Sequence, residues 1–264
     1  MKKILFFLFI GYSLNLFCQE RLNLNHLASK YTLSSLEGFK KLLSIPNDAN
    51  DKIGIQKNIE WTEKEFGKRG FTVSKIMTKG APLLLAKRDF TSKGKTVLIY
   101  LQMDGQPVDP SKWNQKSPYS PVLKKKNSSG DWEAINWEKI YEYNDDWRIF
   151  ARSSSDAKGP VSMFIAAIDA IDENGITPNF NIKVILDFEE EMGSPNLPDA
   201  VKKNGELLTS DVLIILDGPR HRLNKPTLTF GARGIATIQL TTYGPIVPQH
   251  SGHFGNYVPN PALR

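Results

Sequence analysis

Apolar positions along this chain switch repeatedly between helical and strand-like spacing. Leu36, Phe39 and Leu43 recur at helical steps. Ser34 and Glu37 before them have the spacing of a capping box, and Ile45-Pro46-Asn47 closes that predicted helix. Ile55, Ile59 and Phe66 mark a second predicted helix, stopped at Gly70. Apolar runs at 83–85, 97–100, 182–188 and 212–216 read as buried strands. Before the third run, Val161, Phe164, Ile165, Ile168 and Ile171 share one helical face, with Gly175 where a C-terminal glycine belongs. A further helical stretch at 197–203 precedes the last run. Strands alternating with helices predict an α/β fold with helices on both faces of the sheet.

Two regions break this pattern. Residues 108–150 carry Trp113, Trp132, Trp137 and Trp147 among Pro, Ser, Asn and Lys, and read as a long insertion of loops and short elements packed down by its tryptophans. Beyond Gly231, alternation over residues 235–242 predicts a half-exposed strand that opens a second sheet.

The chain has 264 residues, 40% hydrophobic and 23% charged, which is enough apolar material for a folded core. Lys2 and Lys3 followed by an apolar stretch at 4–17 read as a secretory signal, residues 1–18, with cleavage near Cys18-Gln19. Phe17 weighs against a lipoprotein, because a small residue is expected before a lipidated Cys. The expected location is therefore periplasmic or extracellular, in association with a bacterial envelope. Cys18 is the single cysteine, so the mature chain has none, which excludes disulfides and zinc-thiolate sites. The net charge of +6 falls to +4 once Lys2 and Lys3 leave (6 − 2). Much of the excess sits in Lys124, Lys125 and Lys126 beside Asn127-Ser128-Ser129-Gly130, which reads as a solvated loop. A nucleic-acid partner is not expected, since aromatic interleaving and a broader basic surface are missing.

Acidic residues follow the apolar runs directly. Asp104 comes after 97–101, Glu189, Glu190 and Glu191 after 182–188, and Asp217 after 212–216. In α/β sheets ligands bind beyond the carboxyl ends of strands. Carboxylates crowded there call for a compensating cation. Each alone has a bland reading: a strand-end Asp is usually a turn or cap, a Glu run is usually solvated, and Asp156 can simply be a helix N-cap. No Gly-x-Ser-x-Gly elbow is present to suggest a serine hydrolase.

The set and its order resemble the M20 metallopeptidase family, which includes acetylornithine deacetylase, succinyl-diaminopimelate desuccinylase, carnosinase-like dipeptidases and carboxypeptidase G2. Gln102-Met103-Asp104-Gly105-Gln106-Pro107 matches that family's His-x-Asp-x-x-Pro except at its first position. Residues 151–159 (ARSSSDAKG) are similar to Gly-Arg-Gly-x-x-Asp-x-Lys-Gly, and 190–194 (EEMGS) to Glu-Glu-x-x-Gly-Ser with one residue fewer. Asp217 and His250-Ser251-Gly252 complete the series. The resemblance implies a zinc-exopeptidase-like catalytic domain over 19–230, with a mixed, largely parallel sheet, and the start of an α+β lid or dimerisation domain over 231–264. It implies two metal ions, usually Zn2+, with Mn2+ or Co2+ as substitutes. Asp156 would bridge them, Glu191 and Asp217 would hold one each, and Gln102 stands at a ligand position. Glu190 would be the general base, Asp104 would orient the ligand of the first motif, and His250 would polarise the scissile carbonyl across a homodimer. The implied reaction is hydrolysis of an amide bond in a dipeptide or N-acyl amino acid.

Two departures bear on activity. Gln102 replaces an imidazole with a weaker amide oxygen. The family's last ligand, a late His, falls beyond Arg264, so the 264-residue chain is expected to be a fragment with little turnover. The alternative is an envelope binding protein or pseudoenzyme on the same fold, which Gln102 favours.

Overall fold

The computed structural model describes residues 23–141, 144–218, 221, 223 and 225–263. The predicted signal segment lies outside them. No helix among the described residues is long and apolar enough to cross a membrane. The chain forms two compact units, one up to Gly218 and one over 219–264, whereas the sequence pattern changes at 231.

The first unit begins with helix α1 (Leu24–Leu43), capped by the Asn23 side chain, which accepts the His26 N–H at 3.1 Å. The helix therefore starts ten residues before the predicted capping box. Ser34 lies inside it, and its hydroxyl donates back to the Tyr31 carbonyl, a bond that a mid-helix Ser makes without ending the helix. Helix α2 (Lys52–Lys68) follows, with Asp51 as its cap, and ends just before Gly70. Strands β1 (Thr72–Ile76), β2 (Leu83–Arg88) and β3 (Lys95–Gln102) come next. Helix α3 (Lys158–Glu173) ends at Asn174 and Gly175, the latter at φ +62°, where a Cβ would be strained. Strand β7 (Phe180–Asp187), helices α4 (Leu197–Lys203) and α5 (Gly205–Leu208) and strand β8 (Val212–Ile215) complete the unit.

The main sheet has the order β1-β2-β7-β3-β8. β1–β2 and β2–β7 are antiparallel, while β7–β3 and β3–β8 are parallel. Successive residues of one apolar run go to opposite faces. Leu84, Ala86, Val184, Leu186, Ile99 and Leu101 pack on one side with Ile59, Phe66, Val161 and Ile168 of α2 and α3. Leu83, Leu85, Leu98 and Ile185 pack on the other with Ala200 and Leu208. Burial on both faces explains why β2 and β7 read as continuous apolar runs rather than alternating ones. β8 differs from the buried strand expected there. It is an edge strand and its four residues are exposed, Leu213 by 56%.

The insertion contains a three-stranded sheet in the order β5-β4-β6, from β4 (Val122–Lys126), β5 (Trp132–Ala134) and β6 (Arg148–Phe150). The basic run expected in a solvated loop is therefore strand. Lys124 lies over the Phe150 ring, Lys126 over Trp132, and Lys125 pairs with Glu133 at 3.1 Å. Long lysine stems cover aromatic faces while their charges stay in water.

In the second unit, residues 235–242 form no strand, and Ile235 is 93% exposed. A strand exists only when a neighbour takes up its N–H and C=O groups, and none does so among the described residues. One short helix, α6 (Ser251–Phe254), is present there.

Phe66 stacks on Phe164 at 5.7 Å and meets Phe71 edge-on at 5.4 Å, joining α2, α3 and the start of β1. Phe66→Ala is expected to destabilise the fold by about 3–5 kcal/mol, read from urea midpoints. A loss below about 1 kcal/mol would show that this aromatic contact is not a packing centre.

Candidate functional site

β3 lies between two parallel neighbours. Its last residue, Gln102, is in register with Asp187 on β7, and its Tyr100 with Ile215 on β8. The carboxyl ends of three adjacent strands therefore point the same way, and the segments that follow them share one edge. The Met103 N–H donates to the Asp187 carbonyl at 2.9 Å, carrying the pairing one residue beyond β3.

Asp104 is 1% exposed. Its Oδ2 accepts the Glu191 N–H at 2.9 Å, while Oδ1 has no partner. Burial pushes this carboxyl up to about 7, the Glu191 N–H opposes the rise, and the Asp187 charge adds to it.

The three consecutive glutamates go separate ways. Glu189 is buried: its Oε1 accepts the Ala81 N–H at 3.1 Å and its Oε2 the Asn196 amide at 2.7 Å, so it staples two loops. Glu190 and Glu191 lie in a 3-10 turn, Glu190–Met192. Glu191 accepts a hydrogen bond from the Gln106 amide at 2.7 Å. Glu190 makes no side-chain hydrogen bond among the described residues. Partial burial raises its pKa first, followed by the charges of Glu191, Asp217, Asp156 and Asp187.

Asp156 precedes α3 but does not cap it. The cap position is Ala157, with no side-chain hydrogen bond. Asp156 is exposed at the edge, and its pKa is raised by partial desolvation and then by Asp217, with Arg152 pulling the other way. Asp217 accepts the Gly218 N–H on Oδ1 and the Gln102 amide on Oδ2 at 3.4 Å. Gln102 is 3% exposed, and its Oε1 has no partner. Asp104 is joined to the Glu191 backbone and Gln102 to Asp217 by hydrogen bonds, and the charges of Glu191, Asp217 and Asp156 act on Glu190, so these residues form one acidic cluster. His250 belongs to the second unit, where its Nδ1 accepts the Gly252 N–H at 3.1 Å and caps α6.

Residues that the motifs did not single out hold this cluster in place. Asp187 accepts the Tyr100 hydroxyl at 3.0 Å, the Ser194 hydroxyl at 2.7 Å and the Glu189 N–H at 2.9 Å, which fixes the start of the glutamate turn. Its signal in the sequence is a carboxylate interrupting the apolar run 182–188. Asn47, fully buried, donates to the Met103 carbonyl at 2.9 Å and the Ser153 hydroxyl at 3.0 Å, joining the loops that carry Asp104 and Asp156. The approach is close: a Cβ on Gly105 would stand 2.5 Å from Ser153 Oγ. Lys158, also fully buried, donates to the Leu42 and Ile45 carbonyls at the end of α1. Burial lowers its pKa to about 7.

The cluster suits a divalent cation in charge and donor type. Asp217 raises the pKa of Asp156, where Arg152 opposes it, and Glu191, Asp217 and Asp156 raise that of Glu190, while the buried Gln102 Oε1 has no partner. Among the described residues no three His, Cys, Asp or Glu side chains close on a common point. Glu191 is held instead by Gln106.

Residues 98–249 match the model of peptidase family M20/M25/M40. The chain is 31% identical to the Cys-Gly metallodipeptidase of Schizosaccharomyces pombe over 68% of its length and 34% of that protein. It is 27% identical to the cysteinylglycine-S-conjugate dipeptidase of Corynebacterium striatum over 77% of its length and 40% of that protein. It therefore spans well under half the length of these relatives. Among solved structures, an M20 family metallo-carboxypeptidase from Sulfolobus solfataricus superposes with a TM-score of 0.58 at 31% identity, covering 73% of this chain and 39% of that one. The dipeptidase Dug1p of Saccharomyces cerevisiae gives 0.63 at 20% identity, covering 90% and 49%, which shows the fold alone.

Two outcomes follow from the geometry. Asn47→Ala strands the Met103 carbonyl and the Ser153 hydroxyl, and is expected to cost about 1–3 kcal/mol in urea unfolding. A neutral result would mean that the two loops are not joined through it. Asp104, when folded, holds its proton to about pH 7, above its ordinary value of 3.8. Across that window the folded chain binds more protons than the unfolded one, so this group's contribution is full below about pH 4 and is lost as pH rises through about 7. Asp104→Asn should flatten the fall in stability across that window in metal-free buffer. An unchanged slope would show that burial does not perturb Asp104.

Proposed function

The chain belongs to peptidase family M20/M25/M40, and on that premise we propose that it hydrolyses the amide bond of a dipeptide or N-acyl amino acid, aided by divalent metal at the acidic edge of the sheet. The observation that supports this most is Glu190. It is a partly buried carboxyl with no hydrogen bond of its own among the described residues, and its pKa is raised by burial and by the charges around it. A carboxyl held this way is suited to accept a proton during hydrolysis.

The division of roles follows from the contacts. Asp156, whose pKa is raised by partial burial and by Asp217, would help to hold the metal. Asp217, with Gln102 beside it, and Glu191 would supply the remaining carboxylate ligands. Asp104 accepts the Glu191 N–H and so fixes the turn that points Glu190 and Glu191 in different directions. The chemistry that a divalent cation supplies here is a lower pKa for water and positive charge opposite a polarised carbonyl. Zinc is the ion that the resemblance implies. Glu190 takes the proton and passes it to the leaving amine. His250 donates to the developing oxyanion from a partner subunit in a homodimer formed through the second unit, where Ile235, Ile238 and Leu240 are exposed. The pattern of residues 1–18 supports a reaction outside the cytoplasm. The named activities of the relatives, Cys-Gly and β-Ala-His dipeptidases among them, favour hydrolysis over the binding-protein alternative.

A panel of dipeptides and N-acyl amino acids, Cys-Gly and β-Ala-His included, tests this with zinc, manganese or cobalt supplied. Turnover of at least one is expected from a form extended to the length of the relatives, and little from the 264 residues alone. Glu190→Gln should then lower kcat by about 10²–10⁴-fold while cation binding persists. No turnover by the extended form with any ion, or full activity of its Glu190→Gln variant, would overturn the proposal.

A further inference from the structure

Two arginines of the first unit each grip an aspartate with two nitrogens. Arg69 holds Asp169 through Nε and Nη2 at 2.6 and 2.8 Å, and Arg88 holds Asp172 through Nη1 and Nη2 at 2.8 and 2.7 Å. Arg152 lies on the stretch between β6 and α3, four residues before Asp156. Its charge acts on Asp156 and on Tyr119. Yet among the described residues it forms no ion pair.

The head of Arg152 is nonetheless held in place. Its Nη2 donates to the Pro107 carbonyl at 3.3 Å, and the guanidinium lies over the Trp113 ring, 5.7 Å from the centroid. The Arg152 backbone N–H donates to the Pro118 carbonyl at 2.8 Å, and the next residue, Ser153, accepts the Asn47 amide. Pro107 adjoins Gln106, whose amide holds Glu191. These contacts leave the group under-used. Nε is buried without a partner, and Nη1 makes no hydrogen bond among the described residues. A guanidinium stacked on an indole and fixed at one corner is a preorganised fork for carboxylate oxygens.

The surroundings give that fork a use. Asp156, Glu190, Glu191 and Asp217 repel an anion that approaches them, so a substrate bearing a carboxylate needs positive charge at the same edge. Arg152 supplies it beside Asp156. We infer that Arg152, stacked on Trp113, is the anchor for a free carboxylate of the substrate, and that it selects dipeptides and N-acyl amino acids over their amides. The inference rests on reading this edge as the substrate site, and it requires no metal there.

Calorimetric titration of the metal-free chain with N-acetylglycine and with N-acetylglycinamide tests it apart from turnover. The wild type should bind the acid about tenfold or more tightly than the amide, as a charge-assisted forked pair does relative to a neutral one. Arg152→Gln should bring the two ligands within about twofold by weakening the acid alone, and Arg152→Lys should recover part of the preference, because it restores the charge without the fork. A general loosening of the site would weaken both ligands together and leave their ratio unchanged. Equal affinity of the wild type for acid and amide, binding of neither, or an acid preference that survives in Arg152→Gln would overturn the inference. Should Arg152→Gln not fold, an acid preference undiminished in Arg152→Lys would overturn it as well. A preference that depends on Arg152, in a protein whose extended form turns over no substrate, would uphold the anchor and count against the proposed hydrolysis alone.

Discussion

The parallel ladder between β3 and β7 is the constraint on which the rest of the site depends. Its register runs from Lys95 beside Phe180 to Gln102 beside Asp187, and both strands are held between two layers of apolar side chains. A slip of one residue would turn every side chain on the strand to the opposite face, so that Ile99 and Leu101 would trade faces with Leu98 and Tyr100. It would also part Asp104 from the Glu191 N–H. Burial therefore sets the register, and the register sets where the acidic loops begin.

That edge carries a cost that the core offsets. Asp104, Asp156 and Glu190 all have pKa values raised above the ordinary carboxyl range, first by desolvation and then by one another or by Asp217 and Asp187. A folded chain keeps such a group charged only where a cation compensates it or a proton neutralises it. The same crowding raises the pKa of Glu190, and Gln102 Oε1 stands without a partner nearby. Buried Asn47, Asp187 and Lys158 keep the loops from relaxing apart. Asn47 joins two of them, Asp187 anchors the glutamate turn, and Lys158 ties the start of α3 to the end of α1.

Much of this was legible in the sequence, because burial leaves a periodic trace. Continuous apolar runs at 83–85, 97–100 and 182–188 became strands covered on both faces. The faces of α2 and α3 were visible at 55–66 and 161–171, and the helix at 197–203 matches α4. The acidic residues after those runs, with their spacing, were enough to indicate the family and which positions to examine. Local cues alone were weaker. Ser34 and Glu37 have the spacing of a cap but lie within a longer helix, and Lys124, Lys125 and Lys126 look solvated but pair as β4. Each of these outcomes was decided by a neighbour distant in sequence.

Only the tertiary structure could separate three identical side chains in a row. Glu189, Glu190 and Glu191 differ because one meets Ala81 and Asn196, one meets only other charges, and one meets Gln106. It likewise turned Asp187 from an interruption in an apolar run into an anchor, and it showed residues 235–242 exposed and unpaired despite their alternation. The sequence by itself determined which faces of β2, β7, α2 and α3 are buried and which chemical groups stand at the strand ends, since both depend on residue type and spacing, but not the burial of β8. Hydrogen-bond partners, protonation and the identity of an edge strand depend on groups brought together from far along the chain, and those were decided by the packed sheet.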